Sequence, residues 1–337
     1  MDPDDRITPI GDGITAIDTV MASERELNAV YLIAASEPTL IEAGPGADHR
    51  RIVSALDRLD VTPDALAHIV VTHIHMDHAG GVGALLERYP RARVWVHEIG
   101  ARHLVDPDRL VASTSRTYGE ERMRALYGTM VASPADRVRG VGAGDVIDLG
   151  DRSLTVMHTP GHASHHVALH DDRSGAMWTG EAIGSYLPWA DCYRPALPPP
   201  DVDVQRALAS IAAMRSRGPT ALLTSHYGPV PDPDTAFDRA ADRIGAWSAA
   251  VGAALTRAPD ESDDELRAML EGLARREFEA DAHRPIDLER YDALGSIRMN
   301  AQGLARYWRK RWEREAETAP AQPSAASRSA ASNADGS

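Results

Sequence analysis

The stretch VTHIHMDHAG, residues 71–80, sets His73, His75, Asp77 and His78 within six positions, directly behind the apolar run AHIVV. That run reads as a buried strand, so four metal-capable side chains gather where it ends. On a strand continued through His75, His73 and His75 share one face. Asp77 and His78 then follow a turn that leads into the helix GGVGALLERY. A strand end is rigid and the loop beyond it is free to aim side chains, which makes it a common place for a site. Four donors at this spacing point to a metal cradle.

Other strand ends carry donors too. HTPGHASHH follows the strand LTVM, WTGE ends a strand at Glu181, and LLTSH ends one at His226. Imidazoles and carboxylates at several strand ends match the way α/β layers collect a site along one sheet edge. Between these points strands and helices alternate: GITAIDTVM, AVYLIAA, the helix DHRRIVSALDRLDV, and ARVWVHE. The fold class expected is therefore α/β. Residues 103–135 interrupt the rhythm as helical pieces joined by polar loops, and an excursion of that length is expected to be a lid or pocket wall carrying Tyr118, Met123 and Tyr127. From 233 to 315 the pattern turns helical. Phe237, Ala241, Ile244, Trp247, Val251 and Leu255 form one stripe, SDDE at 262–265 is a capping box, and a third helix is expected from about Leu288 to Trp312. Residues 316–337 are too polar and small to bury a core and are expected to be disordered.

The bulk numbers exclude several classes. Among 337 residues, 36 Lys+Arg face 50 Asp+Glu, a net charge of −14 that disfavours nucleic acid as a partner. No apolar run reaches the roughly 18–20 residues of a membrane helix, and the acidic N-terminus lacks a secretory pattern. With one cysteine, Cys192, no internal disulfide can form. A cytoplasmic protein acting on a small molecule, with no membrane partner, is expected.

THIHMDHAGG followed in order by TPGHASHH, TGE and SHYGP resembles the metallo-β-lactamase superfamily over roughly residues 10–230, near its glyoxalase II-like and lactonase-like hydrolases. The resemblance implies an αββα sandwich, a catalytic domain over 1–232 followed by the helical region, and two metal ions. The first ion would take His73, His75 and His162, and the second Asp77, His78 and His226. Glu181 stands where the family usually has a bridging aspartate. Nitrogen and oxygen donors suit two zinc ions, with iron or manganese as alternatives. The chemistry implied is hydrolysis of a small ester, thioester or lactone by a hydroxide shared between the ions, with Asp77 orienting it. His166 is expected in an outer shell, and His165 and His97 are further candidates for the pocket or that shell. Tyr186, Trp189, Tyr193 and Arg194 in GSYLPWADCYRP are candidates to stack on or clamp a small acid. Two other readings are a mononuclear iron enzyme like the persulfide dioxygenases and a non-catalytic metal-binding protein.

Overall fold

The computed structural model describes residues 7–293 and 296–318. Its first half runs β1 (Ile7–Gly11), β2 (Ile14–Asp18), β3 (Ala29–Ile33), β4 (Thr39–Ile41), α1 (His49–Arg58), β5 (His68–Val70), α2 (Met76–Ala79), α3 (Val82–Arg88), β6 (Arg93–His97), α4 (Glu98–Val105), α5 (Asp108–Tyr118), α6 (Glu120–Tyr127) and β7 (Val138–Val141). These strands form one seven-stranded sheet in chain order, antiparallel from β1 to β4 and parallel from β4 to β7.

The second half runs β8 (Val146–Asp148), β9 (Ser153–His158), β10 (Val167–Asp171), β11 (Ala176–Gly180), β12 (Ser185–Leu187), β13 (Cys192–Arg194), α7 (Val204–Arg215), β14 (Ala221–Thr224), α8 (Pro233–Arg257), α9 (Asp263–Ala282), α10 (Leu288–Tyr291) and α11 (Ser296–Thr318). A five-stranded sheet forms in the order β14-β11-β10-β9-β8, and β12 pairs with β13 as a separate hairpin.

Three apolar clusters define four layers, the αββα sandwich expected from the sequence. Ile52, Leu56 and Leu85 of the helices pack on Leu40, Ile69 and Val94 of the first sheet. Tyr31, Ile41 and Val70 meet Val156, Leu169 and Trp178 between the sheets. The second sheet's outer face packs through Met177 and Leu222 on Ile211, Trp247 and Leu270. Strands that are covered on both faces read as continuous apolar runs, as AVYLI and HIV do. The Tyr31 hydroxyl crosses between the sheets to donate to the Thr224 carbonyl at 2.5 Å, tying β3 to the end of β14.

Two local expectations are corrected. β5 stops at Val70, so His73 and His75 are not strand residues; Thr72 already pairs across the sandwich, its carbonyl accepting from Val167 N at 2.8 Å. Asp77 and His78 lie inside the single turn of α2, with His75 at its N-cap. The third C-terminal helix is broken in two. The Tyr291 carbonyl accepts from Arg194 Nη1, and Asp292 Oδ1 accepts from Ile297 N at 2.6 Å to cap α11 afresh. α11 continues to Thr318, and the rest of the tail expected to be disordered lies outside the described residues. The capping box at Ser262 and Glu265 is present.

Candidate metal centre

All seven donors converge where the two sheets meet. His73, His75, Asp77 and His78 come from the segment after β5. His162 follows β9, Glu181 follows β11 and His226 follows β14. Four nitrogen and oxygen atoms form the first group: His73 Nε2 lies 2.9 Å from His75 Nδ1, His162 Nε2 lies 3.0 Å from the same atom, and Glu181 Oε2 lies 3.0 Å from His162 Nε2. In the second group, His226 Nε2 is 3.2 Å from His78 Nε2 and 3.3 Å from Asp77 Oδ2. Ligands about 2.0–2.1 Å from a tetrahedral ion stand roughly 3.3 Å apart, so both groups fit a metal. Glu181 faces both: Oε2 is 3.3 Å from His73 Nε2 and 3.3 Å from His78 Nε2, and Oε1 is 3.9 Å from His226 Nε2.

The far sides of His73, His78, His162 and His226 are equally ordered. His162 Nδ1 donates to the Ala196 carbonyl at 2.9 Å and His226 Nδ1 to the Leu27 carbonyl at 2.6 Å. His73 Nδ1 donates to Thr72 Oγ1 at 3.0 Å, and that hydroxyl donates to Glu42 Oε1 at 2.5 Å. His78 Nδ1 donates to Glu42 Oε1 at 3.2 Å. With Nδ1 committed as a donor, Nε2 is the nitrogen left to face a metal, an arrangement typical of ligating histidines. Glu42, fully buried, thus stands behind a ligand of each group, and it also accepts from Ser225 Oγ at 2.8 Å. Sequence reading missed it. Its signal was a carboxylate at the end of a strand, in TLIEAGPG, without a histidine to mark it.

His166 lies against Glu181 from behind. Its Nε2 accepts from Glu181 N at 3.1 Å while Nδ1 donates to Thr159 Oγ1 at 2.8 Å. Gly180 permits this approach. At φ +51, a Cβ there would sit 2.5 Å from His166 Nε2 and 2.7 Å from Thr72 Oγ1, so only glycine fits.

Burial and neighbouring imidazoles hold His73 well below the ordinary histidine range and His75 down at about 3. Those two rings are neutral and ready to ligate. Burial also lowers His78 and His162, but Asp77 and Glu42 around His78, and Glu181 beside His162, outweigh it and leave both raised. Burial raises Asp77, yet His78 and His226 bring it to about 2, so it stays a carboxylate. A raised group keeps its proton near neutral pH, and an arriving cation must displace it. Metal loading is therefore expected to release on the order of one proton or more per chain at pH 7 and to weaken as pH falls. Calorimetric titration in buffers of different ionisation enthalpy checks this, and buffer-independent heats would contradict it.

A cavity of about 710 Å³ opens over the centre, bordered by His75, Asp77, His162, Glu181 and His226. Tyr118 and Tyr127 line it, their rings 5.5 Å apart, whereas Met123 packs into the first core cluster. His165 borders the cavity with Nδ1 unpartnered among the described residues. His97 does not line it. It stacks on His158 at 4.3 Å and caps α4 through Ile99 N. Tyr186 and Tyr193 are also turned away. They are partners across the β12–β13 hairpin, whose other face carries the pair Ser185 and Arg194, and strand alternation sends one pair to the cavity and the other into the helical core. Arg194 borders the cavity, but its Nη1 donates to the Tyr291 carbonyl and its Nη2 to Ser185 Oγ at 3.4 Å, which removes it as a substrate clamp. Trp189 packs on Phe278. His103 also lines the cavity.

A four-layer sandwich with histidine and carboxylate donors converging between its two sheets is the architecture of a metallohydrolase. A family model described as the metallo-beta-lactamase superfamily matches residues 24–226, and the chain belongs to that superfamily. The acyl-coenzyme A thioesterase MBLAC2 of Gallus gallus is 31% identical over 192 residues, covering 54% of this chain and 67% of that protein. The metallo-beta-lactamase fold-containing protein ST1585 of Sulfurisphaera tokodaii is 32% identical over 168 residues, 48% of this chain and 59% of that one. A hydroxyacylglutathione hydrolase of Aeromonas salmonicida is 30% identical over 158 residues, 47% of each chain. A beta-lactamase domain protein from Burkholderia ambifaria, 19% identical, shares the fold with a TM-score of 0.64 over 92% of this chain and 88% of that one. The chain is a hydrolase of this fold. No helix among the described residues is long and apolar enough to cross a membrane.

Proposed function

We propose that the protein is a two-metal hydrolase of a small ester, thioester or lactone, with an acyl thioester the favoured bond. The observation that carries the reading is Glu181, whose single carboxylate reaches both donor groups, within 3.3 Å of His73, His78 and His162. The donor set suits zinc, with iron or manganese as alternatives. Two such ions would lower the pKa of a shared water to roughly 7 and polarise the acyl carbonyl.

The chain's own residues supply the rest. His73, His75 and His162 on one side and Asp77, His78 and His226 on the other set the two positions, and hydrogen bonds on the far nitrogens of His73, His162, His78 and His226 fix the orientation of those four rings. Asp77, held as a carboxylate and bordering the cavity, orients the attacking water by accepting its hydrogen. Attack forms a new bond from the water oxygen to the acyl carbon. The carbon–sulfur bond breaks and its electron pair leaves on the thiolate, which takes up the proton the water loses on attack, while the acid formed releases its own proton to solvent. The thioester preference draws on the relatives named for removing acyl groups from coenzyme A and glutathione.

Protein purified without added metal is expected to hold about two ions per chain by elemental analysis, mainly zinc. A panel of ester, thioester, lactone, cephalosporin and phosphodiester substrates, with and without chelator, ranks the bonds. Chelator-sensitive turnover led by a thioester supports the proposal. One iron per chain with oxygen uptake, or inertness of every bond in metal-loaded protein, overturns it.

A further inference from the structure

The mouth of the cavity carries cations for which hydrolysis at the metal centre has no use. α4 presents Arg102 and His103 to it, and α5 presents Arg109, Ser113 and Arg116. The α5 residues fall at spacings of four and three, so they share one face of that helix. All three guanidinium groups are exposed, and among the described residues no carboxylate pairs with any of them. Arg102 Nε donates to His103 Nε2 at 3.2 Å, which holds that arginine against the cavity wall. Burial lowers His103, and Arg102 and Arg109 lower it further, as expected where positive charge is concentrated.

The cavity is also apolar in part. Pro198, Pro199, Ala293 and Met299 line it, and their side chains offer no polar group. A molecule filling the cavity over the metal centre thus meets both hydrocarbon and three guanidinium groups that no carboxylate pairs among the described residues.

We propose that Arg102, Arg109 and Arg116 form a subsite for phosphate on the leaving half of the substrate, which makes the substrate an acyl thioester whose thiol-bearing half carries phosphate groups away from the sulfur. The acyl group then lies along Pro198, Pro199 and Met299. This inference rests on the thioester reading above and specifies which thioesters. Guanidinium forks match phosphate oxygens and keep their charge at any working pH. Exposed single ion pairs contribute little, but several convergent charges raise the local concentration of an anionic substrate, and salt screens that effect. A thiol without charge gains nothing from the rim.

The test compares three thioesters of one acyl group on the metal-loaded enzyme: butyryl-coenzyme A, S-butyryl-N-acetylcysteamine, which lacks the phosphates, and S-butyrylglutathione, whose charges are carboxylates. Preference for the coenzyme A thioester by at least tenfold in kcat/KM at low salt, shrinking as salt rises, is expected. In Arg109→Gln/Arg116→Gln that preference should collapse, mainly through KM, at unchanged metal content. Binding of adenosine 3′,5′-bisphosphate, followed by calorimetry, gives a readout independent of turnover and should weaken at least tenfold in the same variant. Equal use of the three thioesters, or a preference that survives in the variant, overturns the subsite. Arginine-dependent binding of the bisphosphate without hydrolysis of any thioester upholds the subsite and overturns the thioester reading.

Discussion

Glu181→Gln is expected to drop bound metal well below two ions per chain and to reduce turnover by roughly 10³-fold or more, beyond the 10–100-fold typical of losing an outer partner of a ligand. The amide keeps the shape of the side chain but loses its charge and replaces one oxygen with an NH₂. Glu181 Oε2 faces three imidazole nitrogens at 3.0–3.3 Å, and an NH₂ there would point hydrogens at the space a cation must fill. Burial raises this carboxyl, but His162, His73 and His78 outweigh that and hold it well below the usual range, so it is ionised. Glu181→Asp is the informative companion. It keeps the charge and withdraws it by one methylene, so it should retain one group of ligands better than the other. Elemental analysis with kinetics on the same preparation reads both variants, and two ions retained in Glu181→Gln would show that the carboxylate bridges nothing.

The second large effect is expected at Glu42. Glu42→Ala removes the acceptor for Thr72 Oγ1, Thr72 N, Ser225 Oγ and His78 Nδ1 in one change, inside a core with no solvent to replace it. Breaking a buried, paired carboxylate of this kind costs about 3–5 kcal/mol. Metal affinity should fall by about 10–100-fold, because His78 and, through Thr72, His73 lose the bond that fixes their tautomer. Glu42→Gln separates the two effects: the amide oxygen can still accept from some donors, so stability should recover more than affinity. Thermal unfolding with and without chelator measures the first and competition with a metal indicator the second. If affinity is unchanged in both variants, Glu42 serves packing alone.

Glu42 also marks where sequence reading ends. The donors at 73, 75, 77 and 78 are legible because they are crowded, and His162, Glu181 and His226 because each closes an apolar run. The layered fold is legible for the same reason, since buried strands read as apolar runs and the α8 stripe repeats at helical period. Glu42 sits alone at its strand end, in a left-handed conformation with φ 64 that no local pattern announces. Tyr186 and Tyr193 misled because the face they occupy depends on the register of a two-strand hairpin, and a shift of one residue reverses it. The arginine rim was invisible for another reason: Arg102, Arg109 and Arg116 matter by what they border, and that depends on how α4 and α5 pack beside the cavity.

One contact changes what a domain boundary means in this chain. Asn300 on α11 accepts from Leu197 N at 2.6 Å and donates to the Pro195 carbonyl at 2.8 Å, bracketing Ala196, whose carbonyl receives the His162 Nδ1 proton. Gly303 lets the helix sit this close, since a Cβ there would lie 1.9 Å from the Leu197 carbonyl oxygen. The part matched by the family model ends at residue 226, yet the ring of His162, a proposed ligand inside it, is held through Ala196 by a helix about 70 residues further on. We propose that the helices are therefore not a detachable module. A chain cut after β14 would lose the bracket around a metal ligand, and substitutions on α11, far from any substrate, would be inherited as changes in metal chemistry.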